Sequence, residues 1–265
     1  MSEFETILYD KKGGIGYITL NRPQVLNVYN LQMRDDLYQV LEALRDDPEV
    51  EVAILQGAGE RAFCAGADLS EFLTAPTPVI ARQARWERDV WGLFLSLPQP
   101  IIAALHGYVL GSGIEIALFC DLRIASEDAV FGLPEVGLGI LPAAGGTQTL
   151  PRTVGRAKAL EMLLTGDFID ATEALRVGLV NRIVPRSQLL SAAEELARKI
   201  SSHPAPVVRA AKEAVNRGLD LPLPQALELE RDLGLPLMDT PEARERIRAF
   251  VEKRSVPPGN PDRAG

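Results

Sequence analysis

One unit recurs about three times along the sequence: a short apolar strand, a loop of glycine with alanine or serine, and the start of a helix. VEVAILQGAG runs into RAFCAGADL, IIAAL runs into HGYVLGSG, and DLRIAS and AVFG read as two further short strands. Strands that are apolar throughout are covered on both faces, which is the habit of parallel sheets. Parallel neighbours need a crossover, usually a helix. The expected class is therefore α/β, with alternating strands and helices. No repeat is sharp enough for a solenoid.

The remaining segments fit around that unit. FETILYD and IGYITLN predict a hairpin turned by Lys11-Lys12-Gly13-Gly14. Asn30 is placed to cap a helix through Asp46, with Leu31, Met33, Leu37, Val40, Leu41 and Leu44 on one face. A helix is expected from Pro78 to Leu97, carrying Trp86 and Trp91. AAGGTQTLPRTVG and RAKALEMLL read as turn-plus-helix segments, and VGLVNRIVP as a strand. From Ser187 onward the pattern is helical, broken at HPAP and LPLP, and the last helix is expected over Pro241 to Lys253. The boundary falls near residue 200, giving a core over 1–200 and a helical region over 201–265.

A chain of 265 residues with net charge -8 does not suit nucleic acid as a main partner, which wants clustered Lys and Arg. Cys64 and Cys120 form no CxxC pair and no Cys/His cluster, so no zinc site is expected. Both read as small buried hydrophobes. MSEFETILYD lacks the pattern of a secretory signal, and no apolar run reaches the length of a membrane span. A cytoplasmic setting is the expectation.

Two loops share a chemical logic. Ala65-Gly66-Ala67-Asp68 and Gly111-Ser112-Gly113 each lead into a helix start. Small side chains let a ligand approach the backbone, and N–H groups at a helix start have no partner within the helix. Two such loops can aim two N–H groups at one oxygen that gains charge; tight packing alone is the plainer reading. Two glutamates stand among apolar residues and glycines: Glu115, two residues beyond Gly113, and Glu135, after Phe131-Gly132-Leu133-Pro134. Facing one cavity, one could accept a proton while the other donates one. The alternatives are a helix-dipole charge for Glu115 and a solvated loop residue for Glu135.

FCAGADL, HGYVLGSGIEIALFCDLRIAS, FGLPEVGLGILPAAGGTQTLPR and GLVNRIVP resemble the enoyl-CoA hydratase/isomerase family, the crotonases. ITLNRPQVLNVYN resembles the family's opening and AFVEKR its closing helix, so the likeness runs from Phe4 to about Lys253. It implies a spiral of ββα units with a C-terminal helical trimerisation region, and a homotrimer or homohexamer. It implies an acyl-CoA thioester as substrate, with no metal and no redox cofactor. By motif match the backbone donors are Ala67 and Ser112, and the catalytic carboxylates are Glu115 and Glu135. Retention of both glutamates points to hydration of a 2-enoyl-CoA rather than double-bond migration; fatty acid metabolism is the setting that the family resemblance implies, with amino-acid and aromatic degradation left open. Other crotonase reactions are the alternative: isomerase, cyclic dienoyl-CoA hydratase, hydrolase or lyase. A non-catalytic RNA binder is a third reading, against which the acidic charge speaks.

The same match places CoA along Gln24, Val25, Ala65, Asp68 and Leu69, with Phe250 and Lys253 reaching it from the last helix. Asp68 is equally well placed to cap the helix that follows it, and Lys253 to favour a helix C-terminus. Ser112 departs from the family's usual glycine; its N–H survives, and its hydroxyl narrows the approach or meets the ligand. Trp86 and Trp91 read as core or as an acyl-pocket lining, His106 as a packed residue, and His203 as surface.

Overall fold

The computed structural model describes residues 4–73 and 88–255, with backbone alone for 72–73 and 253–255. It divides into two compact units, Met1–His203 and Pro204–Gly265.

The strands are β1 (Ile7–Lys12), β2 (Ile15–Leu20), β3 (Val52–Gly57), β4 (Ala62–Cys64), β5 (Ile101–Leu105), β6 (Tyr108–Leu110), β7 (Leu122–Ser126), β8 (Val130–Gly132), β9 (Ile169–Asp170) and β10 (Arg182–Val184). The helices of the first unit are α1 (Leu31–Asp46), α2 (Leu69–Leu73), α3 (Val90–Ser96), α4 (Ser112–Phe119), α5 (Gly146–Val154), α6 (Arg156–Thr165), α7 (Ala171–Arg176) and α8 (Leu189–Ser201). Those of the second are α9 (Ala205–Gly218), α10 (Leu223–Met238) and α11 (Pro241–Ser255).

The strands sort into two sheets in a regular way. One sheet has the order β1-β2-β3-β5-β7-β10, the other β4-β6-β8-β9. Each repeating unit gives its first strand to the first sheet and its second to the other: β3 then β4, β5 then β6, β7 then β8. Connections within each sheet are parallel except for β1 with β2 and β8 with β9. A tight corner separates the paired strands. At Gly107 the backbone has φ +51, and a Cβ there would lie 2.1 Å from the Arg61 carbonyl oxygen. Only glycine fits that corner.

Alternation on the central strands explains their unbroken apolar sequence. Ala53 and Leu55 of β3, with Ile101, Ala103 and Leu105 of β5, enter the main core beside α1. Val52, Ile54, Ile102, Ala104 and Ile124 point the other way, onto Leu189, Ala192, Ala193 and Ala197 of α8. Each face is thus covered, as the sequence pattern requires.

The Asn30 cap forms, its side chain accepting from Met33 N–H at 2.9 Å. Two details of α1 differ from expectation. Leu31 is exposed rather than on the buried face. Asp36 is buried instead, because its carboxylate accepts from the N–H and the hydroxyl of Thr6 at 2.8 and 2.7 Å and so ties the helix to the chain start. The helix expected over 78–97 is described only from Val90 to Ser96, capped by Asp89, whose side chain accepts from Gly92 N–H. The part carrying Trp86 lies outside the described residues. Helix α4 begins at Ser112, β10 covers only Arg182–Val184 of the expected strand, and the last helix runs on to Ser255.

Candidate active site

The first loop leaves β4 beneath a short bridge to Tyr29. Tyr29 N–H donates to the Gly66 carbonyl at 2.8 Å, and Asp68 N–H donates to the Tyr29 carbonyl at 2.8 Å. The residues on either side of Ala67 therefore hold Tyr29, and the Ala67 N–H points to the opposite side. Among the described residues nothing accepts from it.

The second loop is pinned at Gly111, whose N–H donates to the Gly132 carbonyl at 2.9 Å. The Gly111 carbonyl accepts from Ile114 and Glu115 N–H, which starts α4 one residue later. Ser112 is the first residue of that helix, and its N–H also has no acceptor among the described residues. The two loops touch. A Cβ on Gly113 would stand 2.1 Å from the Cys64 carbonyl oxygen, so only a glycine lets α4 come this close. A Cβ on Gly111 would lie 3.3 Å from the Gly66 Cα and 3.0 Å from a Glu135 carboxyl oxygen. Gly111 thus stands against both the first loop, at Gly66, and the Glu135 carboxyl.

The two carboxyls differ in environment. Glu115 is 2% exposed on the first turn of α4. Its Oε1 accepts from the N–H groups of Ala144 and Gly146, both at 2.9 Å. Burial raises its pKa, while those two donors and the Ser112 hydroxyl pull it back. Glu135 sits in a short 3-10 turn, Pro134–Leu138, and its Oε2 is buried with no hydrogen-bond partner among the described residues. Burial first, and the Glu115 charge in addition, push its pKa up to about 7. A carboxylate stabilised by donors beside a carboxyl that holds its proton near neutrality is the arrangement an acid–base pair needs.

Ala144 and Gly146, whose N–H groups hold the candidate carboxylate Glu115, are positions that the sequence did not single out. AAGG is a third small-residue loop before a helix and follows the logic of the other two. Asn27 was missed as well. It is fully buried with φ 55, accepts from Arg22 N–H at 2.8 Å, and donates to the carbonyls of Ala58 and Ala62 at 2.9 Å each. It fastens the RPQVLN loop to the start of β4.

Gln24 and Val25 are exposed on the 3-10 turn Pro23–Val25 of that loop. Ala65 is anchored by its N–H on the Leu26 carbonyl at 3.0 Å, which brings the two loops together. Leu69 opens α2 and is exposed. The Asp68 carboxylate accepts from the Ser70 hydroxyl at 2.6 Å and pairs with Arg22 at 3.2 Å. Both hold its pKa below the ordinary value, Ser70 more than Arg22, and its Oδ1 also accepts from the Ser70 N–H at 3.3 Å, as a cap of the following helix does. Phe250 is exposed on α11, in the second unit; Lys253 is on the same helix, its side chain outside the described residues.

Trp91 is half-buried in a group of rings, with centroids 5.2 Å from Phe119, 5.8 Å from Tyr29 and 6.5 Å from Phe94. Phe119 in turn abuts Gly145, beside the donors to Glu115. His106 is buried, and burial pushes its pKa down to about 4, which keeps it neutral and packed. His203 is exposed, and both cysteines are free and buried.

The sequence profile of the Enoyl-CoA hydratase/isomerase family matches residues 10–259. The chain belongs to the enoyl-CoA hydratase/isomerase family. It is 40% identical to the short-chain-enoyl-CoA hydratase of Clostridium acetobutylicum, over 96% of this chain and 97% of the relative. It is 42% identical to the (E)-benzylidenesuccinyl-CoA hydratase of Thauera aromatica, over 91% of this chain and 94% of the relative. The crystal structure of an enoyl-CoA hydratase from Bacillus anthracis superposes with a TM-score of 0.88 at 40% identity, covering 94% of this chain and 97% of that one. The paired strands and terminal helices are therefore those of the crotonase fold.

Proposed function

We propose that the chain is an enoyl-CoA hydratase, a hydro-lyase that adds water across the C2=C3 bond of a 2-enoyl-CoA thioester. The observation that carries this reading is the carboxyl pair: Glu115 held by two backbone donors, and Glu135 with a buried, unpartnered Oε2 and its pKa near 7, together with two unspent N–H groups. The Ala67 and Ser112 N–H groups receive the thioester oxygen. Glu115 takes a proton from water as the water oxygen bonds to C3. Glu135 gives its proton to C2, and the charge that passes through the thioester oxygen is held by the two donors. The CoA thioester is the substrate; both proton movements fall to carboxyls, and the chemistry calls on no metal or redox group.

The remainder of the site and setting belongs to the same proposal. CoA runs past Gln24, Val25, Ala65, Asp68 and Leu69, with Phe250 and Lys253 contributing from the last helix. The enzyme acts in the cytoplasm, in fatty acid metabolism, as a homotrimer or homohexamer. Two free cysteines suit a reducing compartment, and the relative named for short-chain enoyl-CoA suits the pathway.

The test is hydration of crotonyl-CoA, followed by loss of the conjugated thioester absorbance, in the parent and in Glu115→Gln and Glu135→Gln. Each substitution is expected to lower kcat by roughly 10²–10⁴-fold, with CoA binding retained. Fast turnover that survives either change refutes the pair.

A further inference from the structure

Each N–H assigned to the thioester oxygen belongs to a peptide group whose carbonyl is doubly hydrogen-bonded. The Ala67 N–H shares its peptide with the Gly66 carbonyl, which accepts from Tyr29 N–H at 2.8 Å and from the Cys64 thiol at 3.6 Å. The Ser112 N–H shares its peptide with the Gly111 carbonyl, which accepts from Ile114 and Glu115 N–H at 3.0 and 3.1 Å. Hydrogen bonds in series polarise one another, so a loaded carbonyl makes its own peptide N–H a stronger donor. In the second peptide both loading groups are helix backbone. In the first, one of them is a side chain.

That side chain is confined to its task. Cys64 is fully buried, and its Cβ lies 3.0 Å from where a Gly113 Cβ would stand, so α4 packs directly over it. Burial pushes the thiol up to about 12, which keeps the S–H on the sulfur and suppresses reactivity. A buried S–H finds its acceptor two residues along its own loop.

We propose that Cys64 is a positioning residue for the reaction: its thiol loads the Gly66 carbonyl and so strengthens the Ala67 N–H as a donor to the thioester oxygen. The inference rests on the hydratase reading and on Ala67 as one of the two donors. Losing a whole oxyanion donor costs about 10²–10³-fold in kcat, and one polarising bond contributes about 10–30% of a bond's strength. Loss of the thiol is therefore expected to lower kcat by roughly two- to eightfold.

The experiment uses the full chain and saturated butyryl-CoA carrying ¹³C at the thioester carbon, which binds without hydration. Isotope-edited infrared difference spectra read its C=O stretch, alongside kcat and KM for crotonyl-CoA. In the parent the stretch moves to lower frequency on binding. In Cys64→Ala it moves part of the way back, kcat falls and KM holds. In Cys64→Ser a hydroxyl donor keeps or enlarges the displacement and restores kcat. A Cys64→Ala protein with the parent's displacement and kcat overturns the role of Cys64 alone. Should Cys64→Ala not fold, the serine variant decides: a smaller displacement than the parent's overturns the role. No displacement in the parent overturns both this role and the assignment of the donors.

Discussion

At the scale of single residues, the two glutamates differ in their surroundings, and the proposed hydration uses that difference. In it Glu115 works ionised, so activity is expected to fall as pH drops through its raised pKa; Glu135 works protonated, so activity is expected to fall as pH rises through about 7. The pH profile of kcat/KM is expected to be a bell whose alkaline limb lies near 7. Ser112→Ala keeps the backbone donor and removes the hydroxyl that lowers the Glu115 pKa. Its acid limb is expected at higher pH than the parent's, with the alkaline limb little changed; rate measurements across the pH range check this, and an unmoved acid limb would show that the hydroxyl does not tune Glu115. The pair was legible in sequence because ionisable residues in apolar stretches demand a reason. Which one holds the proton was not legible, because the donors to Glu115 come from Ala144 and Gly146, about thirty residues away along the chain. Asn27 escaped notice for a like reason: its bonds to Ala58 and Ala62 are made only after folding.

At the scale of elements, the site depends on how close α4 lies to β4. Gly113→Ala would put a methyl group 2.1 Å from the Cys64 carbonyl oxygen, against backbone that has no rotamer to yield. The expected loss of stability is about 1–3 kcal/mol by urea unfolding, the range for overpacking a closed contact, together with a fall in kcat as Ser112 is displaced. Gly137→Ala meets nothing within 4 Å and serves as the neutral partner in the same measurement. Equal stabilities for the two variants would refute the packing argument. The hairpin, α1 and the strands β3 and β5 were legible because alternation, caps and glycine turns act locally. The division into two sheets was not. Strands β4, β6 and β8 have three residues each and β9 two, too few for their own pattern to choose a partner. Within the described residues α3 begins at Val90 behind the Asp89 cap, a local signal that the sequence reading did not use; the expected start at Pro78 lies outside them.

At the scale of the whole molecule, the second unit is distinguished by what it leaves uncovered. Among its described residues, none is buried, while Val207, Leu219, Leu223, Leu227, Leu235 and Met238 are exposed. Helices with apolar stripes are stable in water when something covers the stripe. The proposed homotrimer or homohexamer would supply that cover. Sedimentation of the purified chain is therefore expected to give three or six times the 28.8 kDa of one chain, and a single-chain mass at assay concentrations would refute it. The helices were legible from periodicity, and the prolines of HPAP and LPLP mark the breaks before α9 and α10. The lack of a core among them was not, because burial depends on neighbours.

The unequal carboxyls carry a consequence for the catalytic cycle. In the proposed hydration, Glu115 begins without a proton and ends with one, and Glu135 does the reverse. The enzyme that releases product is thus a proton isomer of the enzyme that bound substrate. One isomer is ready to hydrate and the other to dehydrate. Before a second turnover in the same direction, a proton must pass between the two side chains or through solvent. The equilibrium of the reaction is untouched by this, but the free enzyme has a chemistry of its own, and its relaxation between the two isomers is a step that can limit the rate when substrate is plentiful.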